Sequence, residues 1–282
     1  MNRQKRAAAI HDISCFGKCS LTVALPILSA AGIEAAVIPT AVLSTHTGGF
    51  ADFTYRDLTA DLRPIMAHWK RLELQFDAVY SGYLGSFEQV SIVRDFIGTF
   101  RSEGTLVLVD PAMADGGKLY KTFDPPFVEE MKSLCMHADL IVPNITEAAM
   151  LTGEAYREGP YDKAYIERLL HGLLLLGAKQ AVLTGVWFDE KQYGAASLTL
   201  GDHAPHYIFS PKVEGFYHGT GDVFASALLA ARMRGRSLEE SARIAVDRTC
   251  GSILRTKAAG TDLRFGVNFE EGLPDFIRAL GL

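Results

Sequence analysis

The sequence predicts an α/β fold, a mostly parallel central sheet with helices on both faces. Three observations predict it. Short apolar runs alternate with stretches of helical length along most of the 282 residues, as strand–helix–strand crossovers require. No linker, repeat or low-complexity tract interrupts the chain, so residues 1–282 read as one domain. Polar residues capable of chemistry follow the apolar runs: Asp12, Asp110, Asn144 and Thr184. In such sheets ligands bind outside the carboxyl ends of the strands.

Taken in order, Ala7–Ile13 reads as the first strand. A helix over Ser20–Ala31 follows, with Ser20 as N-cap and Gly32 as its stop. Pro26 is expected to kink it or to mark a second start. Glu34–Thr40 reads as a strand, and Leu43–Phe50 as a mobile polar loop. Leu62–Leu72 reads as a helix, Asp77–Ser81 as a buried strand, Ser86–Arg101 as a helix and Thr105–Val109 as an apolar strand. The pattern repeats with helix Pro126–Met136, strand Leu140–Val142, helix Thr146–Thr152, helix Tyr161–Leu176 and strand Gln180–Thr184. Gly194–Leu200 and His206–Phe209 read as an antiparallel pair around Gly201-Asp202. Helices Val223–Arg234, Leu238–Arg255 and about Glu270–Leu280 complete the chain.

Bulk properties narrow the function classes. The chain is 48% hydrophobic and 22% charged, with a formal net charge of −5. That balance argues against a general nucleic-acid surface. No apolar run approaches a membrane span, and Ala7-Ala8-Ala9-Ile10 is too short for a signal peptide. The four cysteines, Cys15, Cys19, Cys135 and Cys250, form no CxxC pair and no zinc pattern. Cys15 and Cys19, near the predicted ligand site, read either as a reactive thiol or as small buried thiols, and a reducing cytoplasm fits.

The chemistry concentrates in a few short motifs. In His218-Gly219-Thr220-Gly221-Asp222, two glycines precede a helical run. Glycines allow a tight turn, and a helix start offers unpaired N–H groups and a positive dipole end to phosphate. Aspartate is a poor phosphate ligand, so Asp222 fits a base that takes a proton from an attacking alcohol. The other reading is a loop with a capping aspartate. Asn144 and Glu147, three apart at a helix start, read either as a capping box or as oxygen ligands for hydrated magnesium. Asp110 and Asp115 read either as turn and loop residues or as neighbours of a metal. Tyr83, in Ser81-Gly82-Tyr83-Leu84-Gly85, is placed to border a flat ring. His46 alone reads as a surface histidine. Walker, GxSxG and HExxH motifs are absent.

Together these segments resemble the ribokinase superfamily and, within it, the pyridoxal kinases. The resemblance runs from Ala7 to about Lys257. Gly219-Thr220-Gly221-Asp222 matches the superfamily's anion hole and catalytic base, and Asn144-Ile145-Thr146-Glu147 its magnesium motif. Ser81-Gly82-Tyr83-Leu84-Gly85, Asp110-Pro111-Ala112-Met113 and His46-Thr47 resemble pyridoxal-kinase segments in the same order. The resemblance implies a ribokinase-like three-layer fold, ATP, Mg2+, often a monovalent cation such as K+, and a homodimer. It implies phosphoryl transfer to the 5′-hydroxyl of a vitamin B6 vitamer.

On that resemblance Asp222 is the base and Gly219, Thr220 and Gly221 stabilise the transferring group. Asn144, Glu147 and Asp110 surround the metal, directly or through water. Asp115, Thr184, Gly185 and Thr220 border ATP. Asp12, Thr47 and Tyr83 line the ring pocket. Pyridoxal kinases usually carry a serine where Asp12 stands. Either the acidic group favours a cationic substrate such as pyridoxamine, or Ser14 supplies the missing hydroxyl. The rival readings are a hydroxymethylpyrimidine kinase with the same chemistry and a catalytically silent ligand-binding protein.

Overall fold

The central strands are apolar on both faces because helices cover both faces of the sheet. In the computed structural model, which describes residues 3–282, β1 (Arg6–Ser14), α1 (Leu21–Ala30) and β2 (Glu34–Leu43) open the chain. There follow β3 (Tyr55–Asp57), α2 (Thr59–Arg71), β4 (Ala78–Ser81), α3 (Phe87–Phe100) and β5 (Leu106–Val109). A small hairpin, β6 (Ala114–Asp115) and β7 (Lys118–Leu119), precedes α4 (Pro125–Cys135), β8 (Leu140–Ile141), α5 (Ile145–Thr152) and α6 (Lys163–Leu175). The chain ends with β9 (Gln180–Val186), β10 (Gln192–Thr199), β11 (His206–Pro211), α7 (Thr220–Met233), α8 (Leu238–Ala259) and α9 (Leu273–Leu280).

Nine strands form one sheet in the order β11-β10-β9-β8-β5-β4-β1-β2-β3. Pairing is parallel from β9 across to β2 and antiparallel at both margins, where β10, β11 and β3 lie. Successive side chains point to opposite faces. Val79, Val107 and Ile141 pack into a core with residues of α2 to α6. Ala78, Leu108 and Leu140 pack into a second core with α1, α7, α8 and α9. Each buried Leu or Ile contributes about 1.5–3 kcal/mol.

Asp139, just before β8, ties this centre together. Its carboxylate accepts the Val107 backbone N–H at 3.0 Å and pairs with Arg101 at 2.7 Å and Lys179 at 2.9 Å. The parallel arrangement puts the carboxyl ends of β1, β4, β5, β8 and β9 along one rim.

Several local expectations need correction. β2 continues through Leu43, and Tyr55–Asp57 adds an edge strand beside it. α1 runs through Pro26 as one helix. Ser20 is not a side-chain cap: its φ is 53° and ψ −129°, and its hydroxyl goes elsewhere. Asp162 caps α6, accepting the Tyr165 N–H at 2.7 Å. The last helix starts at Leu273, after a 3-10 turn over Glu270–Gly272.

Candidate active site

α7 begins at Thr220, so Gly219 is its N-cap and Asp222 lies in its first turn. Gly219 has φ +76°, and a Cβ there would lie 2.0 Å from the Lys18 carbonyl oxygen. Glycine therefore lets the corner close on the loop after β1. A Cβ on Gly221 would meet open space. The unpaired N–H groups of this helix start face an uncrowded surface, a setting that attracts anions. The Thr220 hydroxyl turns back to the Tyr217 carbonyl at 3.0 Å.

Asp222 is half-buried. Burial pushes its carboxyl up to about 7; the Ser20 backbone N–H holds it down in part, and Asp12 adds to the rise. A carboxyl ionising near neutral pH suits proton acceptance from an alcohol.

The rim brings Asp110, Asn144, Glu147 and Thr184 together. Asn144 and Glu147 form the capping box: Asn144 Oδ1 accepts the Glu147 N–H at 3.0 Å, and Glu147 Oε2 accepts the Asn144 N–H at 2.9 Å. Glu147 Oε1 also accepts the Met113 N–H at 3.0 Å. Asn144 Nδ2 donates to the Ala114 carbonyl at 2.8 Å. Burial raises the Glu147 carboxyl, against these N–H bonds. Burial raises Asp110 as well, reinforced by Glu147 and Asp222. Thr184 bridges Asn144 across the sheet, and its hydroxyl donates to the Pro143 carbonyl at 3.3 Å. Gly185 follows it, close to the Tyr193 hydroxyl. Asp115 is exposed and accepts the Gly116 N–H at 2.8 Å.

Among the described residues, no three His, Cys, Asp or Glu side chains stand close enough to hold a metal ion directly. Asp110 and Glu147 instead present hard oxygen donors in one neighbourhood. That donor set fits a cation that keeps several waters and takes its remaining ligands from phosphates. The rim is also open, since Asp115, Gly116 and Gly221 are exposed. Two cavities, of about 160 and 530 Å3, lie away from it, beside β10 and between α5 and α6.

The opposite side of the corner is lined from β1, β3 and β4. Asp12 is 5% exposed. Its carboxylate accepts the Ser20 hydroxyl at 2.5 Å and the Ser14 hydroxyl at 3.3 Å. Ser14 is fully buried and donates to Asp12, so it supports that residue rather than replacing it. Tyr83 lies near Asp12, with its hydroxyl 3.4 Å from Thr122 Oγ1. Thr47 is exposed on the loop after β2.

Two expectations on this side are overturned. His46 is 6% exposed, not a surface residue. Its Nε2 donates to the Arg264 carbonyl at 2.6 Å and its Nδ1 accepts the Gly48 N–H at 3.1 Å, so it ties two loops together. Burial lowers its basicity. Cys15 is exposed, and Cys19 and Cys250 are partly so; Cys135 alone of the four is fully buried.

Sequence reasoning missed Tyr55, Tyr120 and Ser20. Tyr55 comes from edge strand β3 and faces Tyr83 and Asp12. Tyr120, after β7, faces Glu147, Asp115, Asp110 and Asp222. Tyr55 comes from a three-residue strand and Tyr120 directly follows a two-residue one, and elements so short leave no periodic signal. Ser20 reads from sequence only as the N-cap of the first helix, which gives no sign of its bond to Asp12.

The phosphomethylpyrimidine kinase family model matches residues 25–264. The chain belongs to this family. It is a phosphotransferase acting on a hydroxyl group, with the ribokinase-like three-layer fold expected from its sequence. A Bacteroides thetaiotaomicron structure determined with pyridoxal is 36% identical, with TM-score 0.91, covering 99% of this chain and 96% of that one. Pyridoxal kinase from Lactobacillus plantarum is 33% identical, with TM-score 0.89 and 98% of each chain covered. The pyridoxine/pyridoxal/pyridoxamine kinase of Bordetella avium is 28% identical over 80% of this chain and 77% of its own. A Schizosaccharomyces pombe relative, 25% identical, is matched over 58% of its own length. No helix among the described residues is long and apolar enough to cross a membrane.

Proposed function

We propose that this family member is an ATP-dependent pyridoxal kinase, transferring the γ-phosphoryl group to the 5′-hydroxyl of a vitamin B6 vitamer. The observation that carries the reading is Asp222. It stands in the first turn of α7, beside the uncrowded amides at Gly219 to Gly221, with its carboxyl raised to about 7. The pyridoxal held by the Bacteroides relative supports the choice of substrate.

In this reading Asp222 takes the hydroxyl proton as the oxygen attacks phosphorus. The N–H groups of Gly219, Thr220 and Gly221 meet the charge growing on the transferred group. Asp110, Asn144 and Glu147 would hold Mg2+ through water, and the metal would supply neutralisation of phosphate charge. Asp115, Thr184 and Gly185 border the nucleotide, while Tyr83 and Thr47 border the ring. The protein works in the cytoplasm as a homodimer, with a monovalent cation such as K+ beside the nucleotide.

A Haemophilus influenzae relative, a hydroxymethylpyrimidine/phosphomethylpyrimidine kinase 28% identical over 88% of this chain, favours a second reading, a hydroxymethylpyrimidine kinase. One experiment separates them. Purified protein is incubated with magnesium-ATP and, in turn, pyridoxal, pyridoxamine, pyridoxine and hydroxymethylpyrimidine, and phosphorylated product is measured. Product from a B6 vitamer at the highest kcat/KM is expected. Preference for the pyrimidine supports the rival, and no ATP consumption with any of them refutes both.

A further inference from the structure

Ser20 carries an unusual combination of features. Its φ of 53° with ψ −129° is the first-corner geometry of a type II′ turn, which normally calls for glycine. An L-residue stays there only if its surroundings hold it. The hold is visible: the Ser20 hydroxyl donates to Asp12 Oδ1 at 2.5 Å, and Ser20 bridges Ile13 of the adjoining strand. Asp12 in turn is buried, braced by the Ser14 hydroxyl at 3.3 Å. The loop that ends in Ser20 is also wedged against the anion corner, because the Lys18 carbonyl fills the place a Gly219 Cβ would take. Cys19 Sγ stands against the same place, 3.7 Å from where that Cβ would lie, which brings the Ser20 backbone N–H near the Asp222 carboxylate.

We propose that Asp12 is a positioning residue for Asp222: by gripping the Ser20 hydroxyl it holds Ser20 in its left-handed backbone, and so aims the Ser20 N–H at the base. The inference deepens the function proposed above and rests on Asp222 being the base. It also accounts for an acidic residue at a position where its two oxygens meet hydroxyl donors. Asp12 has a second, electrostatic effect on the base as a nearby like charge. The other titratable groups facing Asp222 are Cys19 from the loop after β1, Tyr80 from β4, Asp110 after β5 and Tyr120 after β7. Of these groups, Asp12 is the one that also bonds to Ser20.

The test compares wild type with Asp12→Ala, Asp12→Asn, Ser20→Ala, Asp12→Ala/Ser20→Gly and Asp222→Asn. Turnover with magnesium-ATP and pyridoxal is measured from about pH 6 to 9, with KM for both substrates and the melting temperature. Asp12→Ala and Ser20→Ala are each expected to lower kcat about ten- to a hundred-fold, the cost of a misplaced catalytic group, with KM for ATP little changed. Adding Ser20→Gly should restore most of the loss in Asp12→Ala, because glycine takes this backbone without an anchor. Asp12→Asn keeps an acceptor oxygen for the hydroxyl. It should keep most of the turnover and move the acid limb of the pH profile to lower pH, since a like charge has gone.

A glycine that fails to rescue, or an asparagine as damaging as alanine, overturns the positioning role. If Asp12→Ala does not fold, Ser20→Ala with wild-type turnover overturns it equally. Full turnover in Asp222→Asn sinks the base assignment and this inference with it. An inactive Asp222→Asn beside fully active Asp12→Ala sinks the positioning role alone.

Discussion

Replacing Asp222 by asparagine keeps the side chain's shape and removes both its charge and its basicity. Burial raises this carboxyl from 3.8 to about 7, and each tenfold gain in proton affinity corresponds to about 1.4 kcal/mol. Holding the ionised form in a fully dry site would therefore cost roughly 4 kcal/mol. Asp222 is only half-buried, so solvent screening leaves about 1–3 kcal/mol. The sign follows from proton linkage. The folded state binds the proton more tightly than the unfolded chain, so stability falls as pH rises from about 4 to about 7 and stays low above that. Asp222→Asn should thus melt a few degrees higher than wild type at pH 8, and close to wild type at pH 4. Turnover should move the other way. Loss of the general base costs about 10²–10⁴ in kcat, while nucleotide binding, followed by isothermal titration calorimetry, persists. Wild-type kcat should fall about five-fold between pH 7 and pH 6, with a midpoint near 7. A variant that loses stability at pH 8, or keeps near-normal turnover, would refute the reasoning that a buried charge is kept here for proton transfer.

Other substitutions test the surrounding frame. Gly219→Ala combines φ +76° with a Cβ 2.0 Å from the Lys18 carbonyl; kcat is expected to fall at least tenfold, on the order of the loss from displaced transition-state donors, and steady-state kinetics checks it. Glu147→Ala strands the N–H groups of Asn144 and Met113; it should lower stability by about 2–5 kcal/mol, and Glu147→Gln by less, as read from urea unfolding midpoints. Asp139→Ala, far from the site, leaves the Val107 N–H unpaired and Arg101 without its partner. With both cations solvent-accessible, the loss is mainly that of the stranded N–H, about 1–3 kcal/mol, with little change in KM, and an unaltered unfolding midpoint would contradict that.

The layered fold was legible because each central strand must be apolar on two faces, and runs such as Leu106–Val109 advertise that without any knowledge of partners. The corner at Gly219 to Asp222 was legible because its geometry is set within five residues. The capping reading of Asn144 and Glu147 was legible for the same reason, a bond pattern spanning three residues. The burial of His46 was not, because it depends on Arg264, 218 residues further along. Tyr55 escaped because its strand is too short to show a period, and Tyr120 because it follows a hairpin too short to show one. Their places are set by the neighbours they pair with.

Ser20 shows the limit most clearly. As a lone serine before an apolar run it satisfies the helix-start rule, and the helix does start at Leu21. Yet the hydroxyl that the rule assigns to the helix is spent on Asp12, eight residues upstream. A serine hydroxyl can donate to a carboxylate and still accept a helix N–H, so the bond to Asp12 does not by itself remove the cap. The backbone removes it: at φ 53° and ψ −129° Ser20 lies outside the extended region that a capping residue adopts. The helix start therefore remains without a side-chain cap, and a serine stands in a glycine's backbone with its N–H near Asp222. Such departures from local preference concentrate where a chain trades stability for chemistry. Here the mismatch between the cap the sequence offers and the bond the fold makes marks the segment beside the base.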